Sequence, residues 1–338
     1  MVENVKSYSS TCRNIGIAML LFYAFFTLST FAVSVFAAFY EYSAQPFKAE
    51  VVVNILYAVA YLLSFSVPAF ILRKMCKGSP NHRPIYTAFR FNRWILFAVI
   101  SVIALNFTVS YLNNVAVTSF FPNNTTVVVG SAISTQGRTI SELWILFFVE
   151  IFATAIVPAL CEEYLFRGAI LTDLLPFGKS TAIFASAFLF GLMHQNPLQM
   201  LYTVLMGVII GCIYVKTKSI WVCVILHAMN NFVTVIEQFI PAITGMTWIV
   251  ILIDLLLVIV GAIASVVILL HKNKEPSPEE SGSFGIVYDR GMEHEELELN
   301  LPYGQKLKKF FSPTIIIFIV ICFYNIGRSL ISLFGVTF

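Results

Sequence analysis

Residues 143–161, LWILFFVEIFATAIVPALC, form an apolar stretch that runs directly into EEYLFR at 162–167. A stretch of this length can cross the hydrocarbon core of a bilayer as a helix, which needs about 20 apolar residues. Further apolar blocks lie at about 15–40, 51–72, 94–112, 180–194, 198–215, 220–240, 247–270 and 313–334. The sequence therefore predicts an all-α fold, a polytopic membrane helix bundle with eight or nine transmembrane helices.

Composition supports a membrane protein and argues against a nucleic-acid-binding one. Hydrophobic residues make up 58% of the 338 residues and charged residues 12%, whereas soluble domains carry about 25% charged residues. The net charge of +3 gives no sign of the basic surface that nucleic-acid-binding proteins need. We therefore expect the lipid bilayer as a partner and no nucleic acid. The six cysteines include no C-x-x-C pair, so we interpret them as small buried apolar residues.

The pattern divides the chain into five regions. They are 1–142, the N-terminal transmembrane helices with a polar loop at about 113–141; 143–240, a membrane core; 241–270, a further transmembrane helix; 271–312, a charged loop; and 313–338, the C-terminal transmembrane helix. The loop 271–312 is rich in Glu, Ser, Pro and Gly, so we predict that it is solvated and flexible.

Lysine and arginine are distributed unevenly between the loops. The loop between the second and third spans contains Arg73, Lys74, Lys77, Arg83, Arg90 and Arg93. The next loop, which includes Asn123 and Asn124, contains only Arg138. The positive-inside rule places the first loop in the cytoplasm. We therefore expect a cytoplasmic amino terminus, an outer loop around Asn123, and a multi-pass protein in the plasma membrane of a bacterium.

Ionisable groups within membrane helices cost about 2.5–3.5 kcal/mol each on insertion scales, so they indicate function. In the apolar blocks they cluster in three places, the first being Glu162-Glu163-Tyr-Leu-Phe-Arg167. Glu163 and Arg167 are four residues apart and can pair on one helix face. Glu162 points about 100° away and can face a cavity as a general base. The alternative is an ordinary interfacial helix end with mixed charge.

The other two clusters are Phe190 to His194 and His227 to Asn231. Phe190 shares a face with His194 and can pack beside its ring, although a lipid-facing aromatic and a structural histidine are the plain alternatives. His227 and Asn231 also share a face. Polar groups there need partners, so a hydrogen-bonded contact between helices is the alternative to catalysis.

Taken together, the three clusters supply what hydrolysis requires. They offer a base to activate water, a second group to orient it, and donors for an oxyanion. The sequence contains no G-x-S-x-G and no H-E-x-x-H motif, so neither a serine nucleophile elbow nor a zincin helix is predicted.

The ordered set Glu-Glu-x-x-x-Arg, Phe-x-x-x-His and His-x-x-x-Asn resembles the CPBP family, also called the Abi or CAAX-protease family. That family includes the Ras-converting enzymes, which remove the last three residues of prenylated CAAX proteins. The resemblance covers about residues 143–240 and implies a helical membrane core with a polar cavity. It implies that Glu162 and His194 activate the water and that His227 and Asn231 hold the oxyanion. The resemblance implies supporting roles for Glu163, Arg167 and Phe190.

The expected function is that of an intramembrane endopeptidase acting on a membrane-associated or prenylated protein or peptide. A proton-coupled transporter and a non-catalytic immunity or scaffold protein of the same fold are the alternatives. The family has been described both as metalloproteases and as glutamate-type proteases. If zinc is used, its ligands would be Glu162, His194 and His227. We predict no cofactor, because the chain has no H-E-x-x-H helix and Arg167 would oppose a dication.

One feature of the spacing constrains the fold. Strict counting of spans places Glu162 near the inner membrane face and His194 near the outer end of its own span. For the two groups to meet, the fourth helix must continue past Cys161, or the fifth helix must begin below the membrane surface, and we expect both. We therefore predict one long helix from about 143 to 172, with Glu162 well within it and a cavity that opens towards the cytoplasm.

Overall fold

The computed structural model describes residues 2–41, 46–78, 82–87, 93–120, 137–271 and 303–333. These residues form ten helices, counting each continuous run once: α1 (Val2–Glu41), α2 (Pro46–Cys76), α3 (Arg93–Phe120), α4 (Ile140–Phe177), α5 (Lys179–Met193), α6 (Pro197–Thr217), α7 (Ile220–Thr244), α8 (Thr247–His271), α9 (Tyr303–Phe310) and α10 (Pro313–Leu333). The predicted all-α, polytopic membrane bundle is confirmed.

Seven of the described helices are long and apolar enough to cross a membrane. They are α1, α2, α4, α6, α7, α8 and α10. Two shorter apolar segments, Leu96–Val109 in α3 and Lys179–Met193, which is α5, bring the apolar helices of the described chain to nine. The total of eight or nine crossings stays a prediction, because helix length and composition alone do not show that the two shorter segments cross.

Two predicted boundaries differ from the structure. Helix α3 continues to Phe120, into the loop predicted at 113–141, since no helix-breaking residue interrupts the chain before Pro122. Residues 303–310, within the loop predicted at 271–312, form helix α9, whose buried Phe310 belongs to the main apolar core. Residues 121–136, with Asn123 and Asn124, and residues 272–302 lie outside the described part of the chain.

Helix α4 is the predicted long helix, and it runs without a break over 38 residues. Two π-helical segments, Ile151–Ile156 and Tyr164–Leu171, flank the α-helical turns that carry Glu162 and Glu163. Pro158 lies between them and has no N–H, so the carbonyl of Thr154, four residues earlier, loses its α-helical donor. Single π-helical turns within α-helices are frequent at functional sites.

A tight turn at Gly178 explains how Glu162 and His194 come to lie at the same depth in the helix bundle. Its φ of +124° is a conformation that glycine adopts without steric cost. Glu162 lies sixteen residues before this glycine and His194 sixteen residues after it. At a rise of about 1.5 Å per residue, both lie roughly 24 Å from the turn on antiparallel helices. The prediction that α4 must continue past Cys161 is thereby confirmed.

Several loops meet at the end of the bundle where this turn lies. Arg73, at the end of α2, pairs with Asp173, near the end of α4. The backbone N–H of Ile220 donates to the carbonyl of Tyr86 at 2.8 Å. The Ser312 hydroxyl donates to the carbonyl of Cys12 at 3.3 Å. These contacts join the ends of α2 and α4, the α2–α3 and α6–α7 connections, and α1 with the α9–α10 connection.

Close packing of α5 against α6 brings the backbone of α6 close to Arg167. A Cβ added at Gly207 would lie 2.9 Å from both Cα and Cβ of Ala187. Only a glycine permits this approach, as is common where membrane helices pack through small residues. The carbonyl of Gly207 consequently lies within hydrogen-bonding reach of Arg167.

Candidate active site

Glu163 accepts hydrogen bonds from two other predicted site residues, Arg167 and His227. Its Oε1 accepts hydrogen bonds from Arg167 Nη1 at 2.9 Å and from His227 Nδ1 at 2.8 Å. Arg167 Nη2 donates to the carbonyl of Gly207 at 3.3 Å. Glu163 and Arg167 are both 0% exposed, so the charges must be paired to be tolerated. The pair predicted from the four-residue spacing is therefore present, and it joins α4, α6 and α7.

Glu162 is held apart from this pair, as the angular separation on the helix predicts. Its Oε1 accepts a hydrogen bond from the hydroxyl of Tyr61 on α2. Its Oε2 has no hydrogen-bond partner within the described residues and lies 3.7 Å from His227 Nε2. That separation is too long for a hydrogen bond. One buried carboxylate oxygen is thus fixed, and the other faces a histidine nitrogen without bonding to it.

The contacts of His227 determine which of its nitrogens carries a proton. An ionised Glu163 can only accept, so Nδ1 of His227 donates in their shared hydrogen bond. The neutral ring then has its lone pair on Nε2, on the side of Glu162 Oε2. In the protonated ring, Nε2 becomes a donor at the same place. His227 therefore offers either an acceptor or a donor beside Glu162, depending on its charge.

Phe190 contacts side chains from all three sequence motifs. Its ring centroid lies 5.0 Å from that of His194, 5.9 Å from that of His227, and 4.7 Å from Arg167 Cζ. The ring is 1% exposed, so the lipid-facing alternative for Phe190 is wrong. His194 Nδ1 donates to the carbonyl of Phe190 at 2.9 Å. That bond leaves Nε2 of His194 as the acceptor of a neutral ring.

Asn231 lies one turn beyond His227, and hydrogen bonds to both its nitrogen and its oxygen orient its side-chain amide. Its Nδ2 donates to the carbonyl of Thr154 at 3.3 Å, the group that Pro158 leaves without its α-helical donor. Its Oδ1 accepts from Asn230 Nδ2 at 3.2 Å. An amide nitrogen has two N–H groups, so one remains for another acceptor.

Asn230 fixes this orientation through a network that reaches two further helices. Its Oδ1 accepts from the Tyr202 hydroxyl at 2.8 Å and from Asn106 Nδ2 at 3.1 Å. With its oxygen occupied by donors, Asn230 must turn its own nitrogen towards Asn231. Asn230 therefore links α7 to α3 and α6. Its contact with Asn231 was not predicted.

Four site residues lie outside the predicted set: Tyr61, Asn106, Tyr202 and Asn230. The rule that polar groups in membrane helices need partners could have found Asn106, because this residue lies within the apolar block at about 94–112. Tyr61 and Tyr202 gave no signal, because tyrosine is common in apolar helices. The clustering in three places is also wrong, since the predicted apolar blocks contain four further charged residues: Glu150, Glu237, Asp254 and Arg328.

The three residues that could ligate zinc do not form a ligand set in the described structure. Within the described ranges, no three His, Cys, Asp or Glu side chains are grouped as a metal site. Glu162 and His227 approach each other, with 3.7 Å between Oε2 and Nε2, but His194 does not complete a set with them. The described geometry thus brings two of the three predicted ligands, Glu162 and His227, close together.

Comparison with known proteins identifies the segment that carries the three sequence motifs. A family model described as type II CAAX prenyl endopeptidase Rce1-like matches residues 144–233. The "Putative membrane peptidase YdiL" of Bacillus subtilis (strain 168) is 34% identical over 94 residues. The aligned segment covers 27% of this chain and 38% of that protein. No solved structure gives a significant match.

Proposed function

Because the segment 144–233 belongs to the CPBP, or CAAX-protease, family, we propose that the protein is an intramembrane endopeptidase. The single observation that carries the proposal is the pair of buried carboxylates, with Glu163 bound to Arg167 and His227 while Glu162 Oε2 is left without a partner. Each carboxylate keeps an Oε2 without a hydrogen-bond partner among the described residues; Glu162 is the proposed catalytic one because, unlike Glu163, it has no Arg or His nitrogen within hydrogen-bonding distance.

Glu162 is the general base of the proposed reaction. A water molecule between Oε2 of Glu162 and the scissile carbonyl gives up a proton to that oxygen as it attacks the carbonyl carbon. A positioned carboxylate of this kind contributes about 10²–10⁴-fold to a rate. His194 Nε2, as an acceptor, orients the same water. The proton then passes from Glu162 to the departing amine, so the carboxylate is regenerated when the peptide bond breaks.

His227 and Asn231 are the proposed donors to the oxyanion. When protonated, His227 presents Nε2–H towards the reacting carbonyl. Asn231 contributes the N–H that its bond to Thr154 does not use. Preorganised donors of this type are each worth about 10²–10³-fold in kcat. Arg167 and Phe190 support the site by holding Glu163 and packing between the two histidine rings.

Hydrolysis in this scheme uses no metal step, because a positioned carboxylate and an adjacent imidazole can activate water by themselves. The proposed substrate is a peptide or protein associated with the membrane, with a prenylated CAAX-type terminus as the leading case. The proposed location is the bacterial plasma membrane, with the amino terminus in the cytoplasm and the cavity opening to that side. The match of residues 144–233 to a family of endopeptidases favours a peptidase over a proton-coupled transporter.

The experiment is cleavage of a peptide panel by the purified protein in detergent or liposomes, with products identified by mass spectrometry. The panel contains matched prenylated and unprenylated peptides, and Glu162→Gln serves as the inactive control. We expect a new carboxyl terminus with wild-type protein and none with the variant. Cleavage of no peptide by a folded wild-type protein would favour the non-catalytic immunity or scaffold alternative.

A further inference from the structure

Tyr61 bonds to the proposed base from outside the segment that the family model matches. It lies on α2, about one hundred residues before Glu162, and its hydroxyl donates to Glu162 Oε1. Helix α2 packs along much of α4, so this contact comes from one of the main helix interfaces of the bundle.

The tyrosine ring is fixed by neighbouring aromatic rings. It stacks on Phe65, with 4.5 Å between centroids and 21° between planes. Phe26 of α1 meets the ring edge-on at 5.9 Å. Phe65 is itself buried. Because aromatic contacts on two sides restrict the ring, the hydroxyl has a defined position relative to α4.

The contact selects one orientation of the Glu162 carboxylate. The terminal torsion of a glutamate side chain is broad, so the carboxylate rotates easily unless something holds it. Tyr61 holds Oε1, and the second oxygen then faces Nε2 of His227 at 3.7 Å with no hydrogen bond of its own. Nothing else in the described structure donates a hydrogen bond to Glu162.

We propose that Tyr61 is a positioning residue for Glu162, holding one carboxylate oxygen so that the other faces His227 and the reacting water. This inference rests on the proposed function, in which Glu162 is the general base. It assigns α2, outside residues 144–233, a direct part in the arrangement of the site. Without the phenol, the carboxylate samples orientations in which Oε2 no longer faces the water.

The test is Tyr61→Phe, which removes the hydroxyl and keeps the ring contacts. We expect kcat to fall by about tenfold, the size of effect that one hydrogen bond to a charged group carries, with KM within a factor of two. Infrared difference spectra provide a readout independent of turnover. The carboxyl band that disappears in Glu162→Gln should lie at a different frequency in Tyr61→Phe.

Tyr57→Phe is the matched control. Tyr57 lies one turn earlier on α2, and its hydroxyl bonds with Ser34 Oγ at 3.1 Å, away from Glu162. We expect wild-type kcat and an unchanged carboxyl band in this variant. If Tyr61→Phe yields too little folded protein, the phenol C–O band in wild-type minus Glu162→Gln spectra reports the same contact.

The outcomes separate the two claims. Wild-type kcat and an unshifted carboxyl band in Tyr61→Phe would overturn the positioning role while leaving the peptidase intact. A wild-type protein that hydrolyses no peptide contradicts the proposed function instead, and the infrared bands then still decide whether Tyr61 bonds to Glu162. Equal losses in Tyr61→Phe and Tyr57→Phe would also reject the positioning role, since they would indicate a general effect on α2.

Discussion

Removal of the Arg167 guanidinium tests how the site is held together. Arg167 donates to Glu163 Oε1 at 2.9 Å and to the carbonyl of Gly207 at 3.3 Å, and it lies over the Phe190 ring. Arg167→Met keeps an unbranched apolar side chain but leaves Glu163 with His227 as its remaining hydrogen-bond donor. The variant therefore isolates a buried carboxylate from its cation.

The expected cost follows from the burial of both partners. Breaking a fully buried ion pair by removing one partner costs about 3–5 kcal/mol, because a charge is left uncompensated. Adding Glu163→Gln removes that charge, and the amide oxygen of Gln can still accept from His227 Nδ1. Replacing both members of a buried pair is often close to neutral, so we expect the double variant to be more stable than Arg167→Met alone.

The assay is reversible unfolding in mixed detergent micelles, followed by circular dichroism, for both single variants and the double variant. Arg138→Met is the matched control, because Arg138 pairs with a Glu50 carboxylate whose side chain is 33% exposed. A pair of that kind is worth about 1 kcal/mol or less. Equal costs for Arg167→Met and Arg138→Met, or a double variant that costs the sum of its singles, would refute this reasoning.

Three further predictions concern the loops and the metal question. Deletion of residues 278–300 should leave peptide hydrolysis within a few-fold of wild type, because this polar segment is remote in sequence from all three motifs; lost activity in a folded protein would instead reveal a lid or docking element. Activity should survive chelation, with no stoichiometric zinc by elemental analysis; loss on chelation and recovery with zinc would establish a metalloprotease. A cysteine placed at Asn124 should react with an impermeant reagent from outside the cell, and labelling from the cytoplasmic side alone would reverse the topology.

Features set by spacing along one helix could be predicted from the sequence. The Glu163–Arg167 pair and the packing of Phe190 beside His194 both follow from four-residue separations, and both are present. The length of α4 could be predicted as well, because a fourth helix that continues towards Gly178 allows Glu162 and His194 to share a depth.

Features that depend on packing between distant helices could not be predicted. Tyr61 reaches Glu162 across the interface of α2 and α4, and no local pattern marks one tyrosine among the fourteen in the chain. The π-helical turns lie on both sides of the segment that contains Pro158, and no spacing in the sequence marks them. The bond from Asn231 to Thr154 requires both that local distortion and the position of α7, so spacing alone suggested only a shared face with His227.

The most direct test of the account compares two glutamates on the same helix. Glu162 has an unpartnered oxygen beside His227, whereas Glu150 accepts a hydrogen bond from Asn54 Nδ2 at 2.8 Å and touches none of the proposed catalytic groups. The measurement is kcat/KM for peptide hydrolysis by purified Glu162→Gln and Glu150→Gln. The account predicts a loss of about 10²–10⁴-fold for the first and only a few-fold change for the second. Comparable values for the two variants, or substantial turnover by Glu162→Gln, would contradict it.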